Sequence, residues 1–544
     1  MQFTQKYSFL VLVSLFGFLP IAQAGFQVDH YEFQARTNNY SSGEMFWQNF
    51  FRSISGQAPL PNADVNIIVK DAKTGAVLSG ATVLLGSEEG KPFAGNKKTT
   101  DAAGLASFSA QELKSKPLLS VTAKKAGYAA LTILSTNANS IELALQADPV
   151  ETAYAYLRGK INGWPAGYGS RTIEMGAFLP AFRAESLLNF DPQQIVSSYK
   201  VIVKIYGDRK IPGNIVFPPQ DKTYMIFPVH LEKPEFIMPL PLGMNVHMSG
   251  TIGAAPLGDT MDAVKGKDFL EALNLSTLTH TSWTPNQVLV NGDQNFDLNA
   301  TQELTQKAIT SSYKNIPKGL DTVAISLIDP TGDKGDYIPL DVKSLKSADA
   351  KNGSGAIQVS KLKQNASPAS QYYVFSAIFD QSQFIEKAND DGVNLGGSMK
   401  RALAGGIQKL DASLSTTNNG FFKLMQTQPA SSNARNYSFS SPNNVAAGIQ
   451  ANLILLNVYS EKNNDLTQGR SRHLIWSTIL PGSATQLSLP LVDALPVLPA
   501  PDAAKKEKFF WEVIAVKGGS STEQLNTKAV LENLEQLSNA VEVF

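Results

Sequence analysis

Residues 64–146 decide the fold. They read DVNIIVKDAKTGAVLSGATVLLGSEEG (64–90), KKTTDAAGLASFSA (97–110) and LLSVTAKKAGYAALTILSTNANSIELALQ (118–146). Ile67, Ile68 and Val69 form an apolar run that stops at Asp71. Lys73-Thr74-Gly75 then reads as a turn, because glycine supplies the positive φ of a tight hairpin at no steric cost. Residues 80–85, GATVLL, predict the next strand. Thr100-Asp101-x-x-Gly104 reads as a second turn, in which the aspartate carboxylate bonds the backbone two residues on. Phe108 begins the strand after it. Ile141, Leu143 and Leu145 alternate with Glu142 and Ala144, the period of a strand with one buried face. Segment 88–98 is long for a hairpin loop and reads as an insertion.

This ordered set resembles the carboxypeptidase regulatory-like domain, a small transthyretin-like β-sandwich. Residues 80–85 match its GA-V-L core, and Thr100, Asp101 and Gly104 match its T-D-x-x-G turn. Residues 121–128, VTAKKAGY, resemble its V-A-K-x-G-Y corner. The likeness covers about 80 of 544 residues. It implies an accessory or binding module that carries no catalytic residues.

The first residues predict a compartment. Lys6 sits in a short basic region, residues 9–19 are apolar, and Ala22-Gln23-Ala24 fits an A-x-A cleavage site. That order is the signature of a secretory signal peptide cut after Ala24. The apolar stretch is too short to span a bilayer comfortably, and no later segment reaches 18 consecutive apolar residues. No transmembrane segment is therefore expected after cleavage.

Charge and cysteine content exclude several functions. Lys+Arg and Asp+Glu each total 47. Losing the signal removes Lys6 and no acid, which leaves one net negative charge. A balanced chain offers no basic face for nucleic acid. There is no cysteine, which removes disulfides, thiol catalysis and cysteine metal sites. An exported chain of this length then depends on large apolar cores. That combination fits a bacterial envelope protein.

The remaining residues are mostly β in character. We expect a lead segment at 25–62, partly helical around 44–53. The regulatory-like sandwich spans 63–147. A second β-sandwich module covers 150–302, with strands in 152–164, 201–206, 249–252 and 288–290. The Pro- and Gly-rich run 211–220 reads as a connector along a sheet edge. Residues 262–275 read as a helical insertion, since Val264, Phe269, Leu270 and Leu273 recur near helical spacing. A third β module covers 303–415, with strands at 321–328 and 371–379 and a helical or loop insertion at 382–410. The fourth covers 416–544. Its stretch 509–516, FFWEVIAV, is similar to a strand of fibronectin type III and related Ig-like sandwiches, and 526–539 reads as a helix. The fold expected is mainly β: multi-domain β-sandwiches, transthyretin-like and Ig/FnIII-like, with short helical insertions. The terminal Phe544 invites an outer-membrane barrel, but the repeated ten-residue alternation is missing.

Chemical motifs are sparse. The five histidines form no H-E-x-x-H; His230 and His247 could meet across a hairpin, yet they lack a third ligand. Three S-x-x-K matches begin at Ser197, Ser311 and Ser360, all after the K-T-G at Lys73, the reverse of the order in penicillin-binding enzymes. Two acidic clusters are calcium candidates. Asp293, Asn295 and Asp297 place oxygens at alternate positions, without the glycine and glutamate of a complete loop. Asp329, Asp333 and Asp336 sit in a Gly-rich turn. Ordinary turn chemistry explains both clusters as well. Trp164, Tyr168 and Trp283 lie in or near turns and are candidates for stacking on a glycan, or else plugs for the ends of the sandwiches.

The reading that follows is an exported, non-enzymatic protein of the bacterial cell envelope, placed in the periplasm, on the outer-membrane surface or outside the cell. It binds or scaffolds an envelope polysaccharide or protein and needs no cofactor. Two alternatives stay open: a polysaccharide-active hydrolase whose paired carboxylates leave no local motif, and a surface adhesin.

Overall fold

A computed structural model describes residues 33–36 and, with interruptions, 64–543. The longer stretches outside it are 1–32, 37–63, 87–96, 110–118, 184–199, 384–400, 490–497 and 519–533. The signal peptide, the expected helix at 44–53 and most of the 88–98 insertion lie outside the described residues. The chain folds as a mainly β, multi-sheet sandwich protein.

Local sequence builds the first module. Along Val65–Asp71 the side chains of Val65, Ile67 and Val69 are buried and those between them half-buried. This strand lies between Ser140–Leu145, to which it is parallel, and Leu105–Phe108. Phe33–Arg36 adds antiparallel to the far side of Ser140–Leu145. Opposite stand Leu119–Lys124, Ala130–Thr136, Thr82–Gly86 and Lys97–Thr99. The core between the layers includes Val65, Ile67, Val83, Leu85, Phe108, Val121, Ile133 and Leu143.

The two turns form as their residues dictate. Asp71 Oδ1 accepts from the Lys73 amide at 2.9 Å and the Thr74 amide at 2.8 Å, and Asp71 Oδ2 accepts from the Tyr128 hydroxyl at 3.0 Å. Burial raises the Asp71 pKa, but these bonds and one from the Thr74 hydroxyl outweigh it and hold the carboxyl below its ordinary value. Asp101 Oδ1 accepts from the amides of Ala103 and Leu105. Gly104 has φ +71°, and a Cβ there would stand 2.8 Å from the Val69 carbonyl oxygen. Thr100 Oγ1 donates to the Leu78 carbonyl at 2.6 Å and accepts from the Ala81 amide at 2.9 Å.

The second sheet of this module continues into the C-terminal half. Residues 476–479 of Gly469–Pro481 pair in parallel with residues 130–133. Beyond Gly469–Pro481 the same sheet runs through Leu453–Asn464, Lys508–Gly518, Leu534–Val543, Arg401–Lys409, Gln371–Phe379, Asp321–Asp329, Asp336–Leu345 and Phe182–Arg183. It has 13 strands and crosses the expected divisions near 147 and 415 without a break. A second large sheet orders Phe227–Lys233, Ile215–Tyr224, Thr172–Pro180, Met248–Pro256, Thr277–Trp283, Gln302–Tyr313 and Gly355–Leu362, and Ser415–Asn418 pairs with Gln302–Tyr313.

Three expectations are corrected. Instead of a helix at 526–539, Leu534–Val543 is a strand between Lys508–Gly518 and Arg401–Lys409; a ladder on each flank overrides a three-residue leucine spacing. Within 382–410, Arg401–Lys409 is a strand. Its Gly405 and Gly406 admit close backbones, since a Cβ would meet the Ser376 oxygen at 2.6 Å and the Glu535 oxygen at 2.3 Å. The expected edge connector 211–220 instead enters the strand Ile215–Tyr224, and Pro218 and Pro219 fall at its register shift, where missing amides cost no ladder bond.

The helical insertion forms as two short helices, α1 (Leu257–Lys265) and α2 (Phe269–Leu275). Asp268 caps α2 by accepting from the Glu271 amide. Lys346 pairs with both Asp268 and Glu271, at 2.8 and 2.7 Å. At the other end of α2, Lys343 Nζ donates to the carbonyls of Leu273, Asn274 and Ser276. A positive charge there satisfies carbonyls that the helix itself leaves open.

Candidate ligand cleft

The first calcium candidate is a strand-pairing device. Residues 293–299 run parallel to Tyr154–Asn162. Asp293 Oδ1 accepts from the Tyr156 amide at 2.9 Å and Asp297 Oδ1 from the Lys160 amide at 2.8 Å. Asn295 lies between them, paired with Arg158. The alternating oxygens thus answer strand amides. Gly159 makes this approach possible, because a Cβ there would lie 1.8 Å from the Phe296 oxygen.

The second candidate is divided. Asp329 Oδ1 accepts from the amides of Thr331 and Gly332, an ordinary turn. Asp333 lies outside the described residues. Asp336 Oδ2 accepts from Gln287 Nε2 at 2.9 Å and the His247 amide at 3.3 Å. Among the described residues, no group of three or more His, Cys, Asp or Glu side chains is placed to hold a metal ion.

The aromatic candidates separate too. Trp164 donates through Nε1 to the Ile161 carbonyl at 2.7 Å and packs on the same core as Trp283. Tyr168 lies outside the described residues. His247 is buried, with Nδ1 2.9 Å from the Thr284 carbonyl oxygen, and the His230 side chain lies outside the described set. Ser311 meets Thr416, and Ser360 donates to Asp341; neither serine has a lysine activator in these contacts.

What sequence reasoning missed is a cleft of about 700 Å³, within the roughly 300–1,000 Å³ range of ligand pockets. Its wall is one unbroken run, residues 415–420. Its floor comes from residues 407–409 and 534–536, which share the large sheet. Residues 447–449 and Lys517 close the sides. Tyr337 and Tyr373 underlie it, 4% and 5% exposed, in an edge-to-face pair at 5.0 Å, so neither ring face is free as a platform.

The charged groups of the cleft are partly engaged. Lys517 and Glu535 form an ion pair at 3.0 Å. Asp411 accepts from the hydroxyl and amide of Ser413, which hold its carboxyl below the ordinary range. Gln536 Nε2 donates to the Gly420 carbonyl at 3.1 Å, while its Oε1 is buried with no donor. Chain segments far apart in sequence build this site, and no local motif announces it.

Buried acids elsewhere are also occupied. Asn539 Nδ2 donates to Glu512 Oε1 at 2.6 Å, and Thr427 Oγ1 donates to Glu542 Oε2 at 2.7 Å.

No protein-family model and no curated protein matches the chain. Among solved structures, the Bacillus anthracis TIE protein aligns at 12% identity over 58% of this chain and 45% of that one, with a TM-score of 0.13. BcpA, the major pilin subunit of Bacillus cereus, aligns at 10% identity over 65% of this chain and 97% of its own, also at 0.13. The Corynebacterium diphtheriae major pilin SpaA aligns at 9% identity over 68% and 96%, at 0.12. Scores of this size carry no argument about activity or partners.

Proposed function

We propose that this is an exported cell-envelope protein that binds or scaffolds without catalysis, through β-sandwich modules of which the first is carboxypeptidase regulatory-like. The observation that carries the reading is the use made of the acids. Asp293, Asp297 and Asp329 bond backbone amides. In the cleft, Asp411 is held by Ser413 and Glu535 by Lys517. A hydrolase of the two-carboxylate kind needs an acid and a second carboxylate facing one bond across about 5–10 Å, and these side chains are committed elsewhere. The continuous sheet from the first module to the C-terminal strands supplies a stiff support for such a role.

Protease shaving of intact cells, followed by fractionation, tests the compartment. Digestion on intact cells, or protection until the outer membrane is opened, supports the envelope reading and separates surface from periplasm. Recovery with the cytoplasm, at full uncleaved mass, would overturn it.

A further inference from the structure

We propose that the cleft holds an extended peptide segment of a partner protein, laid as an added strand along Ser415–Asn418 with an acidic side chain directed to Lys409. This deepens the binding reading and rests on it.

The first observation is an open strand edge. Ser415–Asn418 pairs on one flank with Gln302–Tyr313. The Leu414 and Asn418 carbonyls accept from the Thr310 and Lys314 amides. Backbone polar groups alternate sides along a strand, so Leu414, Thr416 and Asn418 face that neighbour, and Ser415 and Thr417 present theirs to the opposite flank. Among the described residues no strand pairs on that flank. The strand Ser415–Asn418 is four residues, about 13 Å of extended chain, and all four line the cleft. An exposed edge of that length is a template for one more strand.

The second is charge: Lys409 is exposed and lines the cleft, whereas Lys517 is already neutralised by Glu535. A saccharide is the weaker occupant, since Tyr337 and Tyr373 keep their rings in the core.

The test is to pan phage-displayed random heptapeptides on the purified full chain and titrate the selected peptides calorimetrically. We expect β-branched sequences carrying Asp or Glu, with hydrogen-exchange protection rising at Ser415 and Thr417 on binding. Thr417→Pro removes an open-edge amide at a position where an edge strand tolerates proline. It should weaken binding tenfold or more with an unchanged melting temperature. Lys409→Glu, at an exposed position, should reverse the charge preference of the selected peptides. Absence of any enriched sequence, full binding by both variants, or displacement of the peptide by members of a neutral oligosaccharide panel would each overturn the proposal. The two readings fail separately. A cytoplasmic protein that still binds acidic peptides loses its compartment but keeps the cleft; an envelope protein that selects no peptide loses the cleft only.

Discussion

Asp293 and Asp297 lie 137 residues from the amides they accept from. An aspartate whose partner is two residues away, such as Asp101, can be read from the chain as a turn former. One whose partner is on a distant strand cannot, and alternating acids then look like metal ligands. The residue that fixes their role is Gly159, whose missing side chain lets the Phe296 carbonyl approach. Gly159→Ala would put a methyl group 1.8 Å from that oxygen, so the 293–299 segment must move away and strand its carboxylates. We expect a loss of roughly 2–3 kcal/mol, in the range of a forced backbone displacement, measured by urea unfolding. A loss under about 0.5 kcal/mol, the size of an ordinary surface change, would show that the two segments are not held this closely.

Elements were legible where their own residues carried the pattern. Residues 321–328, DTVAISLI, alternate as a strand does and 371–379, QYYVFSAIF, are rich in aromatic and β-branched residues; both strands are buried on two faces. Leu534–Val543 was illegible because its pattern mixes Leu534 and Leu537 with buried Ser538, Asn539 and Glu542. Those polar side chains are tolerated through partners on other strands, and a local reading sees only the leucine spacing. Helix α2 was legible, but its clamp was not. The Lys343 that holds its C-terminal carbonyls belongs to Asp336–Leu345 and stands 3.8 Å from the Asp341 carboxylate. Burial pushes the Asp341 pKa up and the Lys343 pKa down. For Asp341 the folded state therefore holds its proton more tightly than the unfolded chain. That contribution is full below the unfolded value near pH 4 and is lost as pH rises through the folded value. Wild type should lose stability relative to Asp341→Asn over that acid-to-neutral window, whatever the constant offset between the two proteins. Chemical denaturation at a series of pH values reads the slope of the difference; a flat or rising difference would mean that Asp341 ionises at least as freely folded as unfolded.

At the scale of the whole molecule, the sequence displays modules and the structure displays a joint. The first module was readable because its turns are local. Its attachment rests on four parallel pairs between 130–133 and 476–479, and on the Trp476 Nε1 bond to Thr132 Oγ1 at 2.9 Å across 344 residues. No periodicity within either segment records the other. The core follows the same path, since Val65 and Val83 belong to one apolar cluster with Leu453, Ile479 and Ile514. A joint of this kind should make the first module melt together with the large sheet. Trp476→Ala deletes a side chain 3% exposed, worth roughly 3–5 kcal/mol as a core truncation, together with the Thr132 bond. Differential scanning calorimetry of the full chain should show one transition in the wild type. In the variant an earlier transition should separate, with proteolysis during it cutting within 64–147. If the variant instead melts in one transition at a lower temperature, cooperativity between the two halves runs through the shared apolar cluster and not through the Trp476 joint.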